Sequence, residues 1–271
     1  MKRFPEKRIF ITGSGSGLGR ALAVRFALEG WRVGVSDVNA ARMEETAGLV
    51  RDAGGTALAI ACNVTSAEDL ARAARSLAAE WGGLDILVNN AGVAAGGLFE
   101  RVPPDRWEWI LDVNFRGVVH GCRAFIPMFK AQRRGHIVNI ASSAGIVSLP
   151  EMASYNATKA AVISVSETLR TELAPHGVGV TVVCPTFINT NIMESFHSPD
   201  EDQRRGAERF FAASRYPAER FADFTYNAVR RNRLYAFPQR DGRMAWRLKR
   251  LFPELFYRYI ARRYSERRNR S

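Results

Sequence analysis

The chain has 271 residues, 46% of them apolar and 24% charged, enough to bury one large core and barely enough for two domains. Its formal net charge of +12 is uneven: residues 1–200 hold 20 Lys/Arg against 19 Asp/Glu, and residues 201–271 hold 19 against 8. The excess belongs to the last quarter, which excludes a nucleic-acid-binding reading of the whole chain.

No run approaches the roughly 18 uninterrupted apolar residues of a membrane span. The opening Met1-Lys2-Arg3-Phe4-Pro5-Glu6-Lys7-Arg8 lacks the apolar segment of a secretory signal. A cytoplasmic protein is therefore expected. Cys62, Cys122 and Cys184 are widely spaced, without histidines at metal-ligand spacing. They read as reduced, buried thiols, and no metal site is expected.

In chain order, residues 8–12 read as a strand, 17–29 as a helix and 32–36 as a strand. A helix near 40–52, a strand near 56–61 and a helix near 66–81 follow. Next come a strand at 85–88, a long helix near 104–131, a strand at 135–140, a helix at 152–174 and a strand at 179–183. Periodicity weakens around 186–216 and returns in a helix near 217–231 and a short strand at 234–237. Strands alternating with helices at this spacing predict an α/β fold, a mostly parallel doubly wound sheet covered on both faces.

Thr12-Gly13-Ser14-Gly15-Ser16-Gly17-Leu18-Gly19 falls between the first strand and the first helix. Glycines there permit positive φ and let backbone approach a pyrophosphate at the helix N-terminus, so Gly13, Ser16, Gly17, Leu18 and Gly19 are expected at a dinucleotide. A tight βα connection would be the plainer explanation. Asp37, at the end of the second strand, strengthens the first reading, because a carboxylate there can accept both hydroxyls of an adenosine ribose; it could equally cap the next helix. A 2′-phosphate beside that carboxylate would be repelled, and no Arg or Lys stands at Ser16 or Val38 to neutralise it, so NAD is expected over NADP.

Tyr155 and Lys159 lie four apart on a predicted helix and share a face. A neighbouring ammonium favours phenolate, and bringing a phenol from about 10 to about 7 needs roughly 4 kcal/mol. With Ser142 thirteen residues earlier, at a predicted strand end, the pair becomes specific. The chain here resembles the short-chain dehydrogenase/reductase family, over about residues 6–238. The TGxxxGxG pattern is Thr12 to Gly19, NNAG is Asn89-Asn90-Ala91-Gly92, and the helix asparagine is Asn114. Serine followed by xxG is Ser142 to Gly145, and YxxxK is Tyr155 to Lys159.

The resemblance implies a Rossmann fold and four roles. Tyr155 exchanges the proton with the substrate oxygen, and Ser142 hydrogen-bonds that oxygen. Lys159 lowers the Tyr155 pKa and binds the nicotinamide ribose, and Asn114 holds a water that relays protons from Lys159. Asn90, Ala91 and Gly92 would line the adenosine ribose and substrate side, while Pro185, Ile188 and Thr190 would hold the carboxamide end. Two departures stand out. Asn63-Val64 replaces the usual Asp-Val at the adenine, where the amide is expected to accept from the adenine amino group. Pro185-Thr186 replaces Pro-Gly beside the nicotinamide.

A lid is expected over 189–216, carrying Ile192, Met193, Phe196, Phe210 and Phe211, opposite walls of Ala94, Ala95, Leu98, Val147, Leu149 and Met152. Packing of these residues onto the domain core is the alternative. An apolar secondary alcohol or ketone, steroid-, retinoid- or lipid-like in kind, is the expected substrate. A non-catalytic NAD-binding sensor or scaffold is the rival function, disfavoured by the aligned acid/base set. The helices near 104–131 and 152–174 would form a homodimer or homotetramer face, with a small-residue stripe of Ala157, Ala160, Ala161 and Ser164.

Residues 1–239 form the expected catalytic domain, and 240–271 a basic helical tail with 11 Lys/Arg against 3 Asp/Glu, a net +8. Leu248, Leu251, Phe252, Leu255, Phe256, Tyr259 and Ile260 follow helical spacing, with a break expected at Pro253. Arg247, Lys249, Arg250, Arg258, Arg262, Arg263, Arg267 and Arg268 surround them. The tail could dock on the protein's own core or a second subunit, lie weakly on an anionic membrane at its inner face, or, least of the three, bind nucleic acid.

Overall fold

The computed structural model describes residues 1–268 apart from 187, 189, 190, 213 and 215; of 210–212, 267 and 268 it describes the backbone. Seven parallel strands run in the order β3-β2-β1-β4-β5-β6-β7. They are β1 (Arg8–Thr12), β2 (Arg32–Ser36), β3 (Thr56–Ala59), β4 (Ile86–Asn89), β5 (Gly135–Ile140), β6 (Val178–Val183) and β7 (Tyr235–Ala236). The order reverses at β1, and the crevice beyond the carboxyl ends of β1 and β4 is where such sheets bind ligands.

Helices cover both faces, which is why β1, β4, β5 and β6 are buried along their whole length and read as continuous apolar runs. Successive side chains still alternate between faces. Ile9 and Ile11 join Leu22, Phe26, Trp31, Met43 and Phe221 beneath α1 (Gly17–Ala27), α2 (Ala40–Asp52) and α8 (Ala218–Arg230). Phe10, between them, joins Leu70, Leu77, Phe125 and Val162 on the face covered by α3 (Ala67–Trp81), α5 (Gly117–Gln132) and α6 (Ala153–Glu172).

The expected long helix over 104–131 is three pieces. These are α4 (Pro104–Leu111), a π-helical turn (Asp112–Arg116) and α5. The wider turn lies where the helix passes the head of the sheet, and it carries the buried Asn114; π turns inside helices concentrate at functional sites. The weakly periodic stretch also holds a helix, α7 (Glu201–Ala212). The tail forms α9 (Arg240–Leu251) and α10 (Pro253–Arg268), broken at Pro253 as expected. All three cysteines are buried and free.

A buried amide network ties the strands to the helix bearing Tyr155 and Lys159. Asn89 Nδ2 donates to Asn139 Oδ1 at 2.8 Å, Asn139 Nδ2 to Ser166 Oγ at 2.9 Å, and Ser166 Oγ to the Val162 carbonyl at 2.6 Å. Asn139→Ala would leave the Asn89 amide only the Cys122 sulfur at 3.5 Å and would open a cavity. We expect it to cost about 2–4 kcal/mol, read as a lower urea midpoint at unchanged slope. A midpoint equal to that of the unmodified protein would mean that water fills the gap.

Candidate active site

A cleft of about 840 Å³ runs across the carboxyl ends of the strands, from the glycine-rich turn and Asp37 to Ser142, Tyr155 and Lys159. At its first end Gly13 and Gly17 have φ of 61° and 53°, a region that disfavours side chains. A Cβ on Gly13 would lie 2.7 Å from the Ala91 Cα. Thr12 Oγ1 accepts from the Asn90 and Ala91 N–H groups at 3.0 and 3.1 Å, and Asn90 Nδ2 donates to the carbonyls of Thr12 and Gly13, both at 2.9 Å. The two loops are thereby stitched into one rigid wall.

Ser16 precedes α1 in extended conformation without a side-chain cap, and no acid stands in the first helical turn. The N–H groups there have no side-chain partner and the positive end of the helix dipole is not neutralised, an arrangement suited to a pyrophosphate. Asp37 Oδ2 accepts from the Gly15 N–H and Oδ1 from the Asn39 N–H, each at 2.9 Å, which aims the carboxylate. The cap of α2 is Asn39, whose side chain accepts from the Arg42 N–H. The residues present therefore fit a dinucleotide.

At the other end Ser142 favours the ionised phenol of Tyr155, yet burial outweighs that influence and pushes the phenol up to about 12. Ser142 Oγ itself donates to the Pro185 carbonyl at 3.4 Å and accepts from the Ala144 N–H at 3.1 Å. Burial likewise pushes the Lys159 ammonium down to about 8, against an opposing influence of Cys184. Lys159 Nζ donates to the Ile140 carbonyl at 3.0 Å and lies 5.7 Å from the centre of the Tyr155 ring. In both groups desolvation is the largest influence on the pKa. Asn114 Oδ1 accepts from the Val93 N–H at 2.8 Å, and its Nδ2 donates to the Val93 carbonyl at 2.9 Å and to Thr158 Oγ1 at 3.4 Å, so the side chain fixes Val93 against the helix bearing Tyr155.

Ser16, Leu18, Asn63, Val64, Asn90, Ala91, Gly92, Pro185 and Ile188 line the cleft as expected; Thr190 lies outside the described residues. Gly19 does not line it. A Cβ there would sit 2.3 Å from the Gly13 carbonyl oxygen, so Gly19 serves close packing of α1 beneath the loop. Asn63 Oδ1 accepts from the Thr65 N–H and hydroxyl at 3.1 and 2.9 Å, so an adenine amino group there would share that oxygen with the turn.

Of the expected walls, Ala94, Val147, Leu149, Met152, Ile192 and Phe196 line the cleft. Ala95 is instead buried in a bridge to His197, Met193 packs into the small cluster around Phe196, and Leu98 borders a separate shallow pocket. The side chains of Phe210 and Phe211 lie outside the described residues. Glu151, at a left-handed φ of 60°, fastens this wall: its carboxylate accepts from Gln203 Nε2 of α7 at 3.1 Å and from the Tyr264 hydroxyl of α10 at 2.7 Å.

Among the lining residues that the sequence did not mark, two groups stand out. Arg42 borders the Asp37 end, with Nη1 2.7 Å from Glu194 Oε2 across the cleft. Its place one turn into α2, shortly after Asp37, was a readable signal. Asp241, Gly242 and Ala245 come from α9. Gly242 presses so closely that a Cβ would lie 2.9 Å from Thr186 Cγ2, and Gln239 Oε1 accepts from the Thr186 N–H at 3.1 Å. The sequence carries no local sign of this contact.

The pattern of the short chain dehydrogenase family matches residues 7–201, and the chain belongs to the short-chain dehydrogenase/reductase family. It is 38% identical over 239 residues to "Probable oxidoreductase EphD" of Mycobacterium tuberculosis, covering 85% of this chain and 40% of that protein; the chain thus spans well under half of that relative's length. It is 38% identical over 190 residues to "Epidermal retinol dehydrogenase 2" of Mus musculus, covering 69% of this chain and 62% of that one. Among solved structures, a short-chain dehydrogenase/reductase of Burkholderia phymatum in complex with NAD superposes with a TM-score of 0.89 at 32% identity, over 94% of this chain and 96% of that one. A short-chain dehydrogenase of Sphingobium yanoikuyae in complex with NADPH gives a TM-score of 0.74 at 28% identity, over 86% and 87%.

The buried ammonium has a measurable consequence. Burial lowers the Lys159 pKa from 10.5 to about 8. At neutral pH the folded chain therefore carries the cost of an interior charge, and this cost vanishes as pH rises toward 10.5, where the unfolded chain also loses the proton. Without added nucleotide, Lys159→Met should melt at higher temperature than the unmodified protein at neutral pH, and the advantage should shrink above pH 8. Identical melting curves across that range would contradict the assignment.

Proposed function

We propose that this chain is an NAD-dependent oxidoreductase that interconverts an apolar secondary alcohol and its ketone, with Tyr155 as the general acid/base. The observation that carries this reading is the meeting of Ser142, Tyr155 and Lys159 at one end of a cleft whose other end is the glycine-rich turn and Asp37. When bound, the nicotinamide supplies or accepts the hydride. The N-terminal N–H groups of α1 hold the pyrophosphate, and Asp37 accepts from the adenosine ribose hydroxyls. Lys159 holds the nicotinamide ribose, with Pro185 and Ile188 at the carboxamide end.

Ser142 Oγ and the Tyr155 hydroxyl bind the substrate oxygen together. In ketone reduction Tyr155 gives its proton to that oxygen as charge develops on it, and a phenol held near 12 is protonated and ready across the neutral range. In alcohol oxidation Tyr155 must first lose that proton, so the reverse reaction gains with rising pH. Asn114 positions Val93 at the cleft wall.

The apolar lining by Val147, Leu149, Met152, Ile192 and Phe196 supports a substrate of steroid-, retinoid- or lipid-like character, and the murine relative's name points the same way. Asp37 supports NAD over NADP. Arg42, which lines the same end of the cleft, is engaged by Glu194. A homodimer or homotetramer built on α5 and α6 is favoured by the stripe of Ala157, Ala160 and Ser164, which α6 leaves exposed.

Tyr155→Phe should lower kcat for reduction of a good ketone by about 10²–10⁴-fold while leaving NADH affinity nearly unchanged, because only the transferable proton is lost. Retention of more than about a tenth of kcat, against that expected loss, would assign the proton to another group. The unmodified protein should prefer NAD over NADP by at least about tenfold in kcat/KM, roughly 1.4 kcal/mol. Asp37→Ala should erode that preference chiefly by weakening NAD, and equal use of the two cofactors by the unmodified protein would refute the ribose assignment.

A further inference from the structure

Helices α9 and α10 spend one face on the protein and leave the other with nothing to pack against. The inward face is well anchored. Trp246 packs on Tyr235 and Phe237 with ring centres 5.5 and 5.3 Å apart, Lys249 Nζ donates to the Ile146 carbonyl, and Tyr264 reaches Glu151. Phe256 joins the core beside Ala245 and Trp246. The kink at Pro253 divides the apolar set: Phe256 and Ile260 turn inward, while Leu248, Leu251, Phe252, Leu255 and Tyr259 turn out.

The outward set forms a patch with Met244, each member between 47% and 69% exposed. The other large exposed apolar residues, Leu28, Val38, Leu49 and Phe99, are scattered singly over separate elements, as on ordinary surfaces. Around the patch stand Arg240, Arg247, Arg250, Arg258, Arg262 and Arg263, all exposed. Arg262 and Arg263 share Glu266, and among the described residues Arg247 and Arg258 make no ion pair.

We propose that this outward face of α9 and α10 is a docking surface for an anionic phospholipid bilayer. Apolar side chains rimmed by arginines match the acyl and phosphate layers of such a surface. None of the described helices is long and apolar enough to cross a membrane, so the pair lies on the bilayer rather than in it. A second copy of the chain is a poor occupant, because a two-fold contact sets this arginine-rimmed patch against an equally cationic one. A nucleic acid would meet the arginines and leave six apolar side chains in water. α9 also walls the cleft through Asp241, Gly242 and Ala245, so docking holds lipid within about one helix diameter, ~10–12 Å, of the cleft.

The test is flotation of the full-length chain with phosphatidylcholine vesicles and with vesicles containing increasing phosphatidylserine, at low and high salt. This readout needs no turnover, so its failure would leave the oxidoreductase reading standing. Binding should appear with phosphatidylserine, rise with its fraction and fall with salt. Arg247→Gln and Arg258→Gln should each weaken partition about fivefold, the factor matching ~1 kcal/mol per arginine at an anionic leaflet. Leu251→Glu should abolish binding at an unchanged melting temperature. Absence of vesicle binding, or equal binding to neutral vesicles, overturns the proposal. So does sedimentation showing an oligomer that Leu251→Glu dissociates while vesicles bind nothing, which would make the patch a self-interface.

Discussion

The site is organised around an ammonium group carried into the interior. Lys159 is 4% exposed, and its Nζ is directed to the Ile140 carbonyl at the end of β5. It reaches that depth because α6 lies directly on the loop after β5, where a Cβ on Gly145 would come within 2.5 Å of the Lys159 carbonyl carbon. On the opposite side Gly92 leaves room, since a Cβ there would approach Asn114 Oδ1 and Lys159 Nζ at 3.2 and 3.5 Å. Burying a charge against a single neutral carbonyl is unfavourable. The packed sheet and helices offset that cost, which is one way stability is exchanged for an active-site constellation.

Two adjacent asparagines show how the strand period divides labour at this depth. Asn89 ends β4 facing the helical layer, where it joins Asn139 and Ser166 in a buried network. Asn90, one residue on, ties the loop after β4 to the glycine-rich turn. One motif therefore serves both the core and the cofactor wall. The glycines follow the same division: Gly13 and Gly17 border the cleft, whereas Gly19 lets α1 approach the loop beneath it.

The part of the cleft farthest from the sheet is built from segments distant in sequence. Glu151 receives a hydrogen bond from α7 and another from α10, next to the wall residue Met152. Arg42 meets Glu194 between α2 and the turn before α7. The two ends of the cleft, α7 and the tail are thus joined by a few polar contacts, most of them partly exposed. Such contacts are individually weak and are the ones expected to open first in local motion.

The amino-acid sequence by itself determined the doubly wound sheet, the glycine-rich turn, Asp37 and the Ser142–Tyr155–Lys159 set, because these rest on local periodicity, backbone freedom and short spacings. Only the tertiary structure decided the balance of charge. A spacing of four puts Tyr155 and Lys159 on one face, but it does not state their burial, which moves the phenol up and the ammonium down. The turn-bound oxygen of Asn63, the π turn at Asn114 and the amide of Asn114 given to Val93 likewise depend on neighbours that no local pattern names. The tail's amphipathic spacing was legible, but which of its apolar residues are buried was not. That division follows from the direction in which Pro253 turns α10 and from where Gly242 allows α9 to touch Thr186, both of which are set by the folded core.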